Sequence, residues 1–167
     1  LFISQIDRNP AAGFDVAGIY PVLFFDIPRE TIPVPAFEHW KLAATGDSVG
    51  IHTITDGEIT VWGDETPYGY QLMSPPISVP KKSMLQLKVP LDIDQGNVSV
   101  GVLDQKGFWL YYLQSNRMSF QFETYGNKEI TIVVTNNQPQ EPQTRSEFTV
   151  FKPELCITSR KDSLYVD

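Results

Sequence analysis

The feature of this sequence that most restricts its fold is a series of short segments in which apolar and polar residues alternate. Met84–Val89 and Ser119–Glu123 both follow this period of two, which places successive side chains on opposite faces of a β-strand. About nine or ten such segments recur at a spacing of roughly ten residues, with turn-forming residues between them. No window shows the three-to-four spacing of an amphipathic helix. The chain is therefore predicted to be all-β, a two-sheet antiparallel β-sandwich.

Two turn sequences predict which strands are neighbours. Asp56-Gly57 separates Ile51–Ile54 from Glu58–Trp62 and predicts a tight hairpin with a type I′ turn, which requires positive φ at both central residues. Asp104–Gly107 predicts a second turn, after which Phe108–Leu113 would return as the partner strand. Both hairpins are antiparallel pairs, as a sandwich of this kind requires.

Prolines divide the chain into two parts. The first forty residues contain five of them, and each one fixes φ and removes a backbone donor. Residues 1–39 are therefore predicted to be an irregular segment packed on the sandwich, with one strand at Gly18–Ile27 and an extended connection at Thr31–Phe37. Residues 40–167 are predicted to form the sandwich domain.

The composition argues against several classes of partner and site. Acidic residues outnumber basic ones by 20 to 13, and the net charge of −7 argues against nucleic acid as the main partner, whereas a neutral sugar chain is compatible with it. No apolar run is long enough for membrane insertion. Cys156 is the one cysteine, so neither an internal disulfide nor a thiolate metal cluster is expected. The start at Leu1, without a leader sequence, predicts a segment of a longer protein or a processed form.

Several segments in the middle of the chain match short sequence patterns that recur around the strands of a known kind of β-domain. Tyr68–Val79 contains a Ser-Pro-Pro-Ile-Ser-Val step, Asn97–Asp104 ends in Gly-Val-Leu-Asp, and Ser146–Val150 has the form of a closing core strand. These elements are similar to the carbohydrate-binding-module-like jelly rolls appended to bacterial enzymes and envelope polysaccharide proteins. Over roughly residues 40–152, the resemblance implies a jelly roll with a sugar-binding or ancillary role. It also implies an extracytoplasmic or cell-envelope location.

The sequence carries no pattern of a catalytic centre. It has no Gly-x-Ser-x-Gly segment, only His39 and His52 could serve as a histidine base, and the acidic residues lack a recognisable glycosidase spacing. Asp92–Asn97 faintly resembles a calcium loop, but Gly96 and Leu103 stand where that loop needs oxygen ligands, so a polar turn is predicted. No catalytic residue, metal ligand or cofactor is therefore predicted, although jelly rolls often carry a structural calcium ion.

Aromatic residues, 12% of the chain, are the strongest candidates for ligand contacts. The apolar face of a sugar ring stacks on an exposed aromatic ring, and strand alternation would place Trp109 and Tyr111 together on an exposed face opposite Leu110. The predicted ligand-binding residues are Trp62, Tyr68, Tyr70, Trp109 and Tyr111, with Asp64, Glu65 and Gln114 as partners for sugar hydroxyls. The same aromatic residues could instead fill the core.

These observations favour a non-catalytic carbohydrate-binding or ancillary β-sandwich of a larger bacterial protein. Two alternatives stay open. The first is a protein–protein interaction or assembly domain, in which the same aromatic side chains dock on a partner. The second is a polysaccharide-active enzyme on a jelly-roll fold, which would need two carboxylates facing each other across a cleft.

Overall fold

A computed structural model describes residues 29–112, 119–137 and 144–160 of the chain. Within these ranges the regular structure consists of β-strands and one short 3₁₀ helix at Phe37–His39. The strands are β1 (Glu30–Ile32), β2 (Lys41–Leu42), β3 (Gly50–Ile54), β4 (Glu58–Trp62), β5 (Tyr70–Met73), β6 (Ile77–Ser78), β7 (Ser83–Lys88), β8 (Leu91–Gln95), β9 (Val98–Asp104), β10 (Trp109–Tyr112), β11 (Ser119–Glu123), β12 (Glu129–Asn136), β13 (Glu147–Phe151) and β14 (Glu154–Arg160). The predicted all-β class is confirmed. None of this regular structure is a helix with the length and hydropathy that a membrane crossing requires.

One layer of the protein is a six-stranded antiparallel sheet. Its strand order is β10-β9-β12-β5-β2, and β6 pairs with the start of β12. The central pair is the longest, since β12 and β9 stay in register from Ile130 opposite Asp104 to Asn136 opposite Val98. Both strands are rich in valine and isoleucine, which suit a pleated, packed surface. This pair is the rigid base on which the candidate site is built.

The opposite layer consists of two four-stranded sheets, ordered β1-β14-β7-β11 and β3-β4-β13-β8. These sheets share two long chain segments, because β7 continues into β8 past Pro90 and β13 continues into β14 past Pro153. A proline cannot donate to a strand ladder, so the pairing is interrupted at both positions and the layer divides there. A hydrogen bond of 3.0 Å from the Phe151 N–H to the Pro90 carbonyl joins the two segments at the break.

The buried hydrophobic residues in the described ranges form one core between the two layers. Leu85 and Leu87 of β7 are fully buried, and so is Val102 of β9 on the facing sheet. Phe120 and Phe122 also point inward, as their alternation in the sequence predicts, with exposures of 7% and 3%. The predicted two-layer antiparallel jelly-roll sandwich is confirmed.

The described part of the predicted N-terminal segment contributes to this sandwich. β1 pairs with β14, with Thr31 opposite Cys156, so residues 31 and 32 form strand rather than the expected extended connection. Phe37 and Trp40 are buried in the core, and the Trp40 indole N–H donates to the Pro35 carbonyl at 3.0 Å. The strand predicted at Gly18–Ile27 lies outside the described residues.

The hairpin predicted at Asp56-Gly57 is confirmed, but its turn type was predicted wrongly. β3 and β4 pair as far as Ile54 opposite Ile59, and the Thr55 N–H donates to the Glu58 carbonyl at 2.9 Å. Neither Asp56 nor Gly57 has a positive φ, so the turn is not type I′. The Thr55 hydroxyl instead accepts the N–H groups of Gly57 and Glu58, at 3.3 and 3.2 Å. Asp56 and Gly57 therefore reverse the chain between Thr55 and Glu58 without a residue in the left-handed region.

Candidate functional site

A β-bulge in β10 decides which of its aromatic side chains reach the surface. β10 pairs with β9 at Trp109 and again from Tyr111, with a register shift that leaves Leu110 as an extra residue. One extra residue moves the following side chains to the opposite face of the sheet. Trp109 and Tyr112 therefore share the outer face of the six-stranded sheet, while Tyr111 faces the core.

The position of Tyr111 corrects the interpretation of the sequence. Its ring stacks on Phe120, with centroids 4.4 Å apart and planes 11° apart, and it packs against the core. The prediction that Tyr111 joins Trp109 on an exposed face is wrong, because strict alternation assumes a strand without a bulge. Tyr111 is a packing residue that connects the two layers.

Tyr70, Trp109 and Tyr112 gather on the outer face of the six-stranded sheet. Tyr68 lies in the loop next to them, because its carbonyl accepts a hydrogen bond from Thr135, the partner of Tyr70, and the four residues are hereafter the Trp109 cluster. Tyr70 and Tyr112 contact the Trp109 ring edge-on, with centroid distances of 5.5 and 5.2 Å. Trp109 is 41% exposed and Tyr68 is 55% exposed. The cluster therefore combines an exposed indole with phenol rings that hold it from the side.

Gly101 of β9 allows the Trp109 ring to lie against the sheet. A Cβ atom at this position would lie 2.4 Å from Cζ3 of Trp109 and 2.8 Å from the backbone oxygen of Tyr111. Both distances are shorter than atoms tolerate, so only glycine leaves room for the ring. A glycine inside a strand of β-branched residues is the sequence signal for such a close approach.

Gly101→Ala is therefore expected to lower the free energy of unfolding by about 1–3 kcal/mol, because the indole and β10 must both move. Urea unfolding would measure the change. Gly57→Ala is the matched control, since its new methyl group would have nothing within 4 Å. Equal stability of the Gly101 variant and wild type would contradict the close packing of the ring.

The hydroxyl groups at the base of the cluster have unused hydrogen-bonding capacity. Ser99 Oγ and Tyr112 Oη are buried, and neither has a hydrogen-bond partner of good geometry among the described residues. Burial raises the pKa of the Tyr112 phenol, the nearby Ser99 hydroxyl partly offsets this, and the Tyr68 phenol adds to the rise. Tyr112 is therefore a neutral donor and acceptor at physiological pH.

Asp64 is the centre of a hydrogen-bond network beside the cluster. Its Oδ1 accepts hydrogen bonds from the Thr66 N–H at 3.0 Å and from the Gln71 amide at 2.8 Å. The Asn136 amide approaches Oδ1 at 3.3 Å, and the Thr45 N–H donates to Oδ2 at 3.2 Å. Oδ1 is thus fully used within the protein, and Oδ2 accepts one backbone donor. The contacts of Asp64 give it a structural role in this loop, and its predicted role as a partner for ligand hydroxyls stays a prediction.

A second β-bulge supplies the main partner of Asp64. The pairing of β12 with β5 shifts register between Val134 and Thr135, which leaves Gln71 as the extra residue on β5. The Gln71 side chain is fully buried, and its Oε1 accepts the Asp64 N–H at 2.9 Å. Gly63 is required here, because a Cβ atom would lie 2.1 Å from that oxygen.

Asp64→Asn is expected to lower the free energy of unfolding by about 1–2 kcal/mol at neutral pH, and by less in acid. Partial burial alone raises the pKa of the Asp64 carboxyl, but the hydrogen bonds from Gln71, Thr45 and Thr66 outweigh it and place the pKa below its usual 3.8. A carboxylate with a lowered folded pKa stabilises the fold above the unfolded value and loses that contribution as the pH falls through the folded value.

Urea unfolding of both proteins between about pH 2 and pH 7 would measure this difference. Asp94→Asn is the control, since Asp94 is an exposed carboxylate on β8. A stability deficit for the Asp64 variant that is the same at both ends of the range would contradict the role of the ionised carboxylate.

Trp62 lies on the other layer of the sandwich. Ile59 and Val61 of β4 are fully buried, and Trp62 points outward with 39% exposure, as the sequence predicts. His52 of β3 stacks on its ring at 4.7 Å, and the Arg145 guanidinium, next to β13, lies 5.4 Å from the ring centroid. β3 and β13 flank β4, so these two neighbours approach Trp62 from opposite sides. The predicted aromatic residues therefore do not form one surface.

The remaining predicted residues have separate positions. Glu65 is exposed in the loop between Asp64 and β5, and Gln114 lies outside the described residues. Interpretation of the sequence missed Tyr112 and Ser99, whose places depend on the bulge and on the register of β9. Among the described residues, no three or more His, Cys, Asp or Glu side chains are grouped so that they could hold a metal ion.

Comparisons with known proteins give structural matches only. No protein-family model and no curated protein matches the sequence. A structure of accessory secretory protein 1, 2 and 3 from Streptococcus pneumoniae aligns with a TM-score of 0.53 and 11% identity, covering 78% of this chain and 97% of that one. The Glycosylation Associate Protein (Gap123) complex from Streptococcus agalactiae aligns with a TM-score of 0.53 and 8% identity, covering 76% of this chain and 25% of that one.

A carbohydrate-binding module, CBM4, also aligns, with a TM-score of 0.48 and 10% identity over 77% of this chain and 95% of that one. At identities this low, similarity is a matter of fold. The two streptococcal structures show that the chain shares its β-sandwich fold with solved proteins.

Proposed function

We propose that the domain is a non-catalytic carbohydrate-binding module that holds a neutral glycan chain against the Trp109 cluster. The observation that carries this proposal is the exposed Trp109 indole, supported edge-on by two tyrosines over a glycine in the sheet. A rigid, partly exposed aromatic ring offers a flat apolar surface to the C–H face of a sugar ring. Tyr68, the exposed phenol of the cluster, supplies a hydroxyl group for the polar edge of the sugar, whereas the Tyr112 hydroxyl is buried beneath the rings.

The charge around the cluster favours a neutral glycan over an anionic one. The register of the six-stranded sheet places uncharged residues beneath and beside the rings, namely Ser99, Gly101, Met73, Val133 and Thr135. The charged residues that the register places on this face, Lys41 and Glu129, lie at its edge and its end. The net charge of −7 would also repel a polyanionic polysaccharide.

The composition of the cluster supports binding rather than hydrolysis. Its members are three phenols and an indole, and general acid–base cleavage of a glycosidic bond uses a pair of carboxyl groups. The Asp64 carboxylate, in the loop beside the cluster, accepts hydrogen bonds from backbone and amide donors. Stacking without an acid–base pair retains a sugar chain and leaves its bonds intact.

A glycan array, followed by affinity gel electrophoresis in soluble xylan, mixed-linkage β-glucan and glucomannan, tests this function. The domain is expected to be retarded by at least one neutral polysaccharide, with polygalacturonate as the anionic control. If no neutral glycan retains the domain at high protein concentration, the proposal is wrong.

A second candidate function, a protein-interaction domain, is supported by a different observation. β3 is an edge strand, and Ile51 and Ile54 pair with core residues of β4 but are 36% and 41% exposed. Apolar side chains at an open strand edge are typical of a docking surface. Concentration-dependent self-association in sedimentation experiments, abolished by Ile54→Lys, would support this function, and a monomer at all concentrations would count against self-association through this edge.

A further inference from the structure

Tyr68 has a backbone conformation that large residues rarely adopt. Its φ is +57°, in the left-handed region that favours glycine. Its ring is 55% exposed, so packing in the core does not explain why an aromatic residue stands there. Tyr125 shares the positive φ and the exposure, so these two features alone do not mark a site. Tyr68 differs from Tyr125 in its place, because its carbonyl is bound by Thr135, which pairs with Tyr70 on the outer face of the six-stranded sheet.

The surrounding hydrogen bonds hold this conformation in place from both sides. The Thr135 hydroxyl oxygen lies 3.0 Å from both the Tyr68 and the Gly69 carbonyl oxygens, between which its one proton is shared. The Asn136 N–H donates to the Gly69 carbonyl at 2.9 Å, and the Gly69 N–H donates to the Thr66 carbonyl at 3.0 Å. The loop after Asp64 is therefore attached to β12, the central strand of the sheet.

Asp64 and Asn136 link the start of this loop to the same strand. The Asn136 amide donates to the Asp64 carbonyl at 3.0 Å and to the Thr66 carbonyl at 2.9 Å. The Asp64 carboxylate accepts the Thr66 N–H and the Gln71 amide, as described above. Residues on both sides of Tyr68 are thus fixed to β12 where Thr135 pairs with Tyr70, and the Tyr68 side chain itself is left at the surface.

We propose that Tyr68 is a pre-positioned contact residue of the glycan site and that Asp64 is its positioning residue. This inference rests on the proposed function, since it gives Tyr68, one member of the Trp109 cluster, a specific role in glycan contact. A ring that is already held in place loses little conformational freedom on binding, which favours affinity. Asp64 acts only through the loop, and its carboxylate does not touch the glycan.

Tyr68→Gly separates the functional role from a structural one. Glycine relieves the left-handed conformation and removes the ring, so the Tm is expected to stay at or above that of wild type while affinity for the retained polysaccharide falls about 2–10-fold. Tyr125→Gly is the matched control, because Tyr125 is another exposed tyrosine, with a φ of +50° and 58% exposure, in the turn between β11 and β12. It should tolerate glycine equally well and bind xylan, β-glucan or glucomannan as wild type does.

A double-mutant cycle tests the role of Asp64. Asp64→Asn alone is expected to weaken binding about 2–5-fold, and to cause no further loss in the Tyr68→Gly background, because the residue acts through Tyr68. Equal losses from Asp64→Asn in both backgrounds would show that Asp64 does not act through Tyr68.

The outcomes separate this inference from the proposed function. If Trp109→Ala abolishes retention by the polysaccharide and Tyr68→Gly leaves it unchanged, the glycan site stands and the inference about Tyr68 is wrong. If wild type is retained by none of the three polysaccharides, the proposed function fails and this inference fails with it. Loss of binding in the Tyr125→Gly control would overturn the assignment to Tyr68, because it would show that replacing an exposed tyrosine away from the cluster weakens binding as well.

Discussion

A Trp109→Ala variant is expected to bind the polysaccharide that retains the wild-type domain about 10–100 times more weakly. The indole is the exposed centre of the cluster, and its stacking on a sugar ring would contribute through buried apolar area and dispersion, about 1.4–2.7 kcal/mol. Isothermal titration calorimetry with a soluble oligosaccharide of that polysaccharide would measure the change. The variant should keep its strands, because the Trp109 ring lies on the outer face of the six-stranded sheet and is not part of the core that fills the space between the two layers.

Trp62→Ala is the matched control for this experiment. The two tryptophans have almost the same exposure, 39% for Trp62 and 41% for Trp109, but they lie on opposite outer faces of the sandwich. Loss of the Trp62 ring removes its stacking on His52 and its cation–π contact with Arg145, and costs about 1 kcal/mol of stability. Its affinity for the polysaccharide should equal that of wild type. A similar loss of affinity in both variants would contradict a site confined to the Trp109 cluster.

Alternation in the sequence predicted the faces of the regular strands well. Leu85 and Leu87 of β7 point inward, as do Phe120 and Phe122 of β11. These two strands pair residue by residue without a register shift. Where a strand has no bulge, the period of two is enough to separate core from surface.

The face of Tyr111 could not be predicted in the same way. The bulge at Leu110 depends on how β10 pairs with β9, and nothing in the local pattern of residues 108–113 reveals it. The wide separation of Trp62 from Trp109 is also a long-range property. It follows from the pairing of β4 with β13, strands that are far apart in the sequence.

Three irregular features meet at the candidate site. They are the bulge at Leu110, the bulge at Gln71 and the left-handed backbone of Tyr68. The two bulges interrupt the strict alternation of side chains along a strand, and Tyr68 has a positive φ although it is not glycine. Each of the three directs a side chain toward or beneath the outer face of the six-stranded sheet. Departures of this kind that converge on one surface are expected where a protein binds a ligand.

Phe148→Ala is expected to lower the free energy of unfolding by about 3–5 kcal/mol, the largest stability effect predicted for the domain. Phe148 of β13 is fully buried in the core, opposite Val61 of β4 and Ile93 of β8. Its removal leaves a cavity that the surrounding strands fill only in part. A loss of this size is a large fraction of the total stability of about 5–15 kcal/mol that is common for a domain.

Phe151→Ala, on the same strand, is the control, because Phe151 is 38% exposed on the outer face and should cost less than about 1 kcal/mol. Urea unfolding would measure both variants. The Trp109 cluster lies on the far side of the opposite sheet from Phe148, so loss of the core ring should reduce glycan binding only in proportion to the unfolded fraction. If the folded fraction of the Phe148 variant bound the polysaccharide more weakly than wild type, the outer face would depend on the core packing beneath it, and the site could not be treated as independent of the sandwich interior.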